Sequence, residues 1–221
     1  MSITGDLIVI TTDPESGKSR LGTTQADAVV GGAILLDLIA LGRIDLPGEG
    51  RKARAVVIDA SPVPDWIAEA AFARVRDRRP MKPRDLVTKL GKGAKVAQYD
   101  ALVASGVLQA REVKVAGLFP RRRHSLLRPT ERAALLASVR SALLEGAEPD
   151  ERTGPIVGLL SAADLLGVVV GKRGLRQAKT RAAAFGEGDW ASQGVRDAIR
   201  AAQTAVAAAT VAATSAAATS S

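Results

Sequence analysis

Apolar residues recur at intervals of three and four positions along most of this chain, which is the spacing of one buried face of an α-helix. The pattern predicts helices over residues 23–41, 65–77, 83–90, 94–105, 129–146, 151–169, 175–184 and from residue 190 onward. Residues 23–41 are apolar on nearly every side, so this helix is expected at the centre of the core. Asp37 and Asp164 lie within apolar helices, where buried hydrogen bonding or pairing with arginine is expected.

Alternation of apolar and polar residues predicts two β-hairpins. The first joins residues 43–46 to 52–59, and the second spans residues 107–128. Residues 6–12 are apolar and partly β-branched, which favours a short buried strand. The predicted fold class is therefore mostly α: a single helical domain with a central apolar helix and two β-hairpins. No repeat or linker divides the chain, so the domain is assigned to residues 1–213 and a disordered tail to residues 214–221.

Composition and charge narrow the class of partner. Hydrophobic residues make up 47% of the chain and aromatic residues only 3%, so the core must be aliphatic, with Trp66 and Trp190 as expected anchors. The formal net charge of +8 favours an anionic partner, such as a phospholipid surface or nucleic acid. The chain has no cysteine and one histidine, which excludes disulfides and thiolate or multi-histidine metal sites. We expect no cofactor.

Targeting signals are weak. The N-terminus lacks the basic region and long apolar run of a signal peptide. The longest apolar stretch, residues 155–171, contains Asp164 and falls short of the roughly 20 apolar residues of a spanning helix. The sequence therefore predicts a cytoplasmic protein that associates with membranes only peripherally.

Two glycine-rich segments resemble phosphate-binding loops without meeting their requirements. Gly17-Lys18-Ser19 has Thr12 where a P-loop needs its first glycine, and Pro14 removes a backbone N–H group from the loop. The segment from Gly167 to Lys172 has three residues rather than four between its glycines. Carboxylates are scattered, and no nucleophile, base and metal-ligand set converges. We therefore expect no enzymatic activity and no catalytic residues.

The strongest functional signal is the tip of the second hairpin, residues 107–128, here called the basic hairpin. Leu118 and Phe119 directly precede three consecutive arginines, Arg121, Arg122 and Arg123. An apolar pair can enter the lipid boundary while guanidinium groups bind phosphates, which is typical of a membrane contact. Lys92 and Lys95 flank the start of the preceding helix, where backbone N–H groups also favour anions. These residues are the predicted headgroup-binding and insertion site.

The order of motifs resembles the Golgi phosphoprotein three family, which includes yeast vacuolar-sorting counterparts and bacterial relatives. The family's helix of the form Gly-x-x-Leu-x-Glu/Asp-Leu-x-x-x-Gly-Arg is matched from Gly32 to Arg43. Its Leu-x-x-x-Gly-Val-Leu segment is similar to residues 102–108, and its proline-led helix to residues 129–144. The resemblance covers about residues 3–200 and implies a helical fold. The Ala-, Arg- and Gly-rich composition is typical of a GC-rich bacterium.

This resemblance implies a peripheral adaptor that binds phosphatidylinositol 4-phosphate and holds membrane-protein clients, as the eukaryotic members hold glycosyltransferase tails. The two basic positions of the family's headgroup pocket correspond to Lys92 and Lys95. Gly22 and Gly31 stand where the pocket has a tryptophan and an arginine. We therefore expect general anionic-lipid binding, with the basic hairpin also available for homo-oligomer contacts.

A second interpretation comes from a different class of protein. Residues 83–128 follow the order helix, turn, helix, hairpin, which is also the order of a winged helix. In that case Lys92, Lys95, Gln98 and Tyr99 would face a nucleic-acid groove, with the arginines on phosphates. Apolar residues at the tip of the hairpin favour lipid over nucleic acid.

Overall fold

The computed structural model describes residues 2–48, 52–115, 119–185 and 193–219, and confirms the mostly helical fold with two small antiparallel hairpins. The helices are α1 Ile3–Thr11, α2 Thr23–Ala40, α3 Trp66–Phe72, α4 Pro83–Gly91, α5 Ala94–Ala104, α6 Pro129–Leu144, α7 Thr153–Ala162, α8 Gly167–Ala184 and α9 Gln193–Thr219. The strands are β1 Ile44–Asp45 and β2 Val56–Val57, which pair together, and β3 Leu108–Val115 and β4 Phe119–Leu126, which form the basic hairpin.

Helix α2 lies at the centre, in contact with α1, α4, α5, α7 and α9. Its core side chains are fully buried on several sides, among them Val29, Val30, Ile34, Leu35 and Leu38. A helix that is apolar all round is stable only when other helices cover it, which is the position the sequence predicts for it.

Helices α2 and α4 approach each other at the level of their backbones. A Cβ atom on Gly31 would lie 2.1 Å from the carbonyl oxygen of Val87, and one on Gly91 would lie 1.7 Å from that of Asp27. Both positions therefore require glycine. The contact places the C-terminal end of α4 against α2 and so positions Lys92, which follows directly.

The predicted strand over residues 6–12 is wrong, because residues Ile3–Thr11 form helix α1. Ser2 caps the helix through its hydroxyl, and Asp37 of α2 accepts hydrogen bonds from the backbone N–H groups of Ile3 (2.8 Å) and Thr4 (3.1 Å). Thr11 donates its side-chain hydroxyl back to the carbonyl of Leu7. Every residue of α1 is buried, and a fully buried helix shows no periodicity that separates it from a strand.

Asp37 has the buried hydrogen-bonded environment expected of it. Burial raises the pKa of its carboxyl group, and the hydrogen bonds from Thr4 and Ile3 act in the opposite direction. Asp164 differs from expectation: its side chain is exposed and pairs with Lys179 at 2.8 Å. It adopts a φ of 54° between α7 and α8, so the predicted helix over 151–169 ends at Ala162. A second break within α8 falls at Gly171, whose φ is 67°.

Further boundaries differ from the pattern. Helix α3 ends at Phe72 rather than near residue 77, and Trp66 is 59% exposed rather than a core anchor. Trp190 lies outside the described residues. Helix α9 is assigned through Thr219, and the division of the chain at residue 213 stays a prediction. In the described part of the chain, no single helix is both long enough and apolar enough to span a membrane. Helices α7 and α8 reach that length and apolarity only when taken together, and they are bent by 79° relative to each other.

Candidate anion-binding surface

The basic hairpin is held against α5 by contacts along one face of β4. The imidazole of His124 stacks on the ring of Tyr99, with centroids 4.2 Å apart. Two residues before His124 on β4, Arg122 donates to the carboxylate of Asp100 at 2.8 Å. At the base, Leu108 is buried opposite Leu126. The hairpin therefore lies on α5, the helix that carries Lys95 in its first turn.

Tyr99 is anchored from the other side by the end of α1. Its hydroxyl shares a hydrogen bond of 2.8 Å with the hydroxyl of Thr12. Burial raises the pKa of Tyr99, against hydrogen bonds from Ser19 and Thr12. For His124, burial is the main cause of a lowered pKa; Arg122 lowers it further, and Asp100 opposes both. The stacked pair is therefore neutral at physiological pH.

The turn containing Gly17-Lys18-Ser19 supports the hairpin rather than a phosphate. The backbone N–H of His124 donates to the carbonyl of Gly17 at 3.0 Å. Gly17 has a φ of +63°, and a Cβ atom there would lie 2.8 Å from the His124 nitrogen. Hydrogen bonds from the Ser16 side chain and backbone, and then from Arg20, hold the pKa of Asp13 well below its usual range. The glycine that suggested a P-loop is required by this close backbone contact.

Strand alternation separates the three arginines. Arg122 faces α5 together with His124, whereas Arg121 and Arg123 lie on the opposite face of β4. On that outer face Arg121 is paired with Val113 and Arg123 is directly opposite Arg111. Neither Arg121 nor Arg123 has an ion-pair partner among the described residues. Two guanidinium groups opposite each other repel, and an anion bound between them would relieve that repulsion.

The predicted insertion residues are only partly visible. Leu118 lies outside the described residues. Phe119 opens β4 opposite Val115, and its backbone alone is described. The insertion role of both residues stays a prediction.

Lys95 and Lys92 occupy the two sides of the α4–α5 junction. The ammonium group of Lys95 donates to the carbonyl of Leu21 at 3.0 Å, and burial lowers its pKa, with Asp27 acting in the opposite direction. Lys92 is exposed at the end of α4, where Gly93 follows with a φ of +71°. The structure therefore places Lys95 beside Leu21, and so next to Gly22.

The two glycines that replace the family's pocket residues have different surroundings. A Cβ atom on Gly22 would meet only the Gln25 side chain, at 3.9 Å, so the space above it is open. Gly31 is enclosed by the backbone of α4, as described above, and an arginine cannot be accommodated there. The open side of the junction is thus next to Lys95.

The sequence interpretation missed a second group of cations. Arg74 donates to the carbonyl of Lys92 at 2.9 Å, and Arg74, Arg78, Lys89 and Lys92 line a cavity of about 520 Å³ together with Ala73 and Asp77. The signal was present in the run Arg74-Val75-Arg76-Asp77-Arg78-Arg79, which contains four arginines in six positions. The helical pattern alone places this run at the end of a helix.

The winged-helix interpretation fails at two of its four proposed contacts. Gln98 is 3% exposed and Tyr99 is 5% exposed, so neither faces a nucleic-acid groove. Tyr99 instead contacts Thr12 and His124. In the described part of the chain there is also no group of three or more acidic or histidine side chains suited to a metal ion.

By its fold, the protein is a helical domain built around a buried central helix, with a basic hairpin beside the α4–α5 junction. The family model for Golgi phosphoprotein 3 (GPP34) matches residues 3–202, and the chain belongs to this family. No curated protein matches the sequence.

Proposed function

We propose that this protein is a non-enzymatic peripheral membrane adaptor that binds anionic phospholipid headgroups, phosphatidylinositol 4-phosphate among them. The supporting observation is that one helix, α5, carries both parts of the predicted site. Lys95 stands in its first turn, and Tyr99 and Asp100 further along it hold the basic hairpin. Headgroup contacts and membrane-surface contacts can therefore act together.

The headgroup site in this proposal is the open space beside Lys95 and Gly22, with Lys92 at its edge. An ammonium group that is half-buried and already hydrogen-bonded to Leu21 is oriented rather than mobile, which lowers the entropic cost of holding a phosphate. The Gly22 side supplies no aromatic wall. Selectivity among phosphoinositides should therefore be weak, and charge should dominate the affinity.

The outer face of the basic hairpin supplies the second contact. Arg121 and Arg123 are not engaged in ion pairs within the described residues, and each basic residue near an anionic membrane contributes about 1 kcal/mol. Arg122 contributes less because Asp100 already neutralises it. Leu118 and Phe119 complete the contact by entering the headgroup boundary, which makes the association reversible and peripheral rather than integral.

Membrane-protein clients and self-association belong to the same proposal. The family resemblance supports a role in holding clients at a membrane. The outer face of the hairpin, where Val113 is 36% exposed, would also be available to a second copy of the chain. The localisation that fits is cytoplasmic and peripheral to the membrane.

Vesicle flotation tests the proposal. Wild-type protein should float with phosphatidylcholine vesicles that contain phosphatidylserine or phosphatidylinositol 4-phosphate, and not with phosphatidylcholine alone. Arg121→Glu/Arg123→Glu should weaken binding by about 30-fold or more, since two basic contacts are lost. Arg173→Glu/Arg176→Glu on α8 makes the same charge change at exposed positions and should bind nearly as wild type.

Two results would overturn the lipid proposal. One is wild-type protein that ignores every anionic vesicle. The other is steeply salt-dependent binding to duplex DNA without any vesicle binding, which is the behaviour of a phosphate-backbone contact in a nucleic-acid-binding protein.

A further inference from the structure

The cavity beside Lys92 continues along α4. A second cavity of about 820 Å³ shares Asp77, Arg78 and Lys89 with it and is also lined by Arg79, Met81, Arg84, Asp85 and Thr88. Together they form one open groove between α4 and the segment that follows α3. We call it the basic groove.

The basic groove carries a strong excess of positive charge. Six cationic side chains line it, Arg74, Arg78, Arg79, Arg84, Lys89 and Lys92, against the carboxylates of Asp77 and Asp85. Arg78, Arg79, Arg84 and Lys89 form no ion pair within the described part of the chain and are exposed. A concave surface that concentrates uncompensated positive charge attracts and holds an anionic partner.

The cations are distributed along the groove rather than gathered at a point. Arg84 lies in the first turn of α4 and Lys92 directly follows its last residue, so the two are eight residues apart, about 12 Å at the helical rise per residue. Arg78 and Arg79 stand on the opposite wall. A single phosphate would meet only one end, whereas an extended chain of about four residues spans the distance. The arrangement therefore fits a linear ligand with several negative groups.

The carboxylates of Asp77 and Asp85 favour one class of linear anionic ligand over another. Asp77 and Asp85 would repel a polymer that is charged at every unit, such as a nucleic-acid backbone. Among the described residues, no aromatic side chain lines the groove, so none of them offers the base stacking that single-stranded nucleic acid uses. A peptide can place neutral residues beside Asp77 and Asp85 and carboxylates beside the arginines, whose planar guanidinium groups bind carboxylates in a bidentate manner.

We propose that the basic groove binds an extended acidic peptide segment of a partner protein. The site is separate from the proposed lipid contact on the hairpin and shares only Lys92 with the proposed headgroup space. A partner bound here would be held on the adaptor without occupying the membrane-facing hairpin. The recognition is electrostatic, since the lining is mostly charged and Met81 and Ala73 are its apolar members among the described residues.

Fluorescence anisotropy on the full chain tests this proposal. The probe is a labelled peptide in which aspartate and glutamate alternate with glycine and serine, and its control has asparagine and glutamine instead. Wild type should bind the acidic peptide and not the amide peptide. Arg78→Glu/Lys89→Glu should weaken binding at least about 10-fold, because two charge-assisted contacts are lost.

The matched control is Lys172→Glu/Arg173→Glu on α8, which changes the net charge equally at exposed positions. If this control weakens peptide binding as much as the groove variant, binding is non-specific and the proposal is wrong. Vesicle flotation of the groove variant gives the second measurement. Vesicle binding that falls by the same factor as peptide binding would assign the groove to the lipid surface and overturn the peptide site. Retained vesicle binding supports two separate sites, whatever the outcome for the hairpin variants.

Discussion

Arg152 donates two hydrogen bonds to the carboxylate of Asp6, through Nε and through a terminal nitrogen at 2.8 Å, across 146 residues of sequence. The Asp6 side chain is fully buried, whereas the Arg152 side chain is 51% exposed. The hydrogen bond to Asp6 is also the main cause of a raised pKa for Arg152. This pair joins the first helix to the start of α7, and among the described residues Arg152 is the only side chain that hydrogen-bonds the Asp6 carboxylate.

Removing the arginine should therefore be costly. Arg152→Ala leaves a buried carboxylate without its partner and should lower the free energy of unfolding by about 3 kcal/mol. Urea denaturation followed by circular dichroism measures the change. Asp6→Asn/Arg152→Ala should recover part of the loss, because no buried charge remains. A single-variant loss below about 0.5 kcal/mol would show that the pair acts as an ordinary surface contact.

The α2–α4 backbone contact predicts an unusually sensitive glycine. Gly31→Ala should lower the free energy of unfolding by about 3 kcal/mol, because its methyl group would overlap the Val87 carbonyl and force the two helices apart. Gly22→Ala is the matched control, since its Cβ meets open space and its φ is −60°. It should cost less than about 1 kcal/mol. Equal thermal stability of the two variants would contradict the close helix contact.

Gly22→Trp should increase affinity for phosphatidylinositol 4-phosphate. Gly22 is open and adjacent to Leu21, whose carbonyl binds Lys95, so an indole placed there would add a wall to the proposed headgroup space. We expect about a 5-fold gain or more over wild type on vesicles containing this lipid, from burial of part of an aromatic side chain. Vesicles with phosphatidylserine at equal charge provide the control. A gain that is the same on both would indicate general membrane insertion instead of headgroup recognition.

His124 should make the packing of the basic hairpin against α5 sensitive to pH. Its pKa is lowered in the folded state, so the neutral form is favoured there and the unfolded chain binds more protons below the usual pKa of about 6.5. The stabilising contribution is thus complete above that pH and is lost as the pH falls. Hydrogen exchange of β3 and β4, corrected for intrinsic rates, should be faster at about pH 5.5 than at about pH 7.5.

His124→Phe separates this effect from other titrations. Phenylalanine keeps a ring against Tyr99 but cannot take up a proton, so the exchange rates of the hairpin should lose most of their pH dependence. A variant that keeps the full pH dependence would show that groups other than His124 cause it.

The sequence predicts most of the architecture because its helices are amphipathic or clearly bounded. Helices α2, α4, α5 and α6 and both hairpins lie where proline, glycine and apolar spacing place them. Helix α1 could not be recognised, because a buried run rich in isoleucine, valine and threonine favours a strand locally. Its first turn is held by the Ser2 cap and by Asp37, which comes from more than 30 residues away in the sequence.

The candidate site was predictable in position and less so in arrangement. The basic hairpin and the α4–α5 junction were evident from Arg121–Arg123 and Lys92. The separation of Arg122 from its neighbours depends on strand register, and the pairing of Lys95 with Leu21 depends on a loop from a distant part of the chain. The basic groove combines residues 73–81 with α4, a juxtaposition that spacing along the sequence does not reveal.

Arg111 and Arg123 stand opposite each other in the hairpin, and no carboxylate among the described residues forms an ion pair with either of them. A multivalent anion on that face would serve as a counter-ion, so binding and hairpin order become thermodynamically linked. The membrane would then contribute to the folding of the hairpin as well as to the location of the protein. It would act as a structural ligand, and the hairpin would reach its full rigidity only when docked on negative charge.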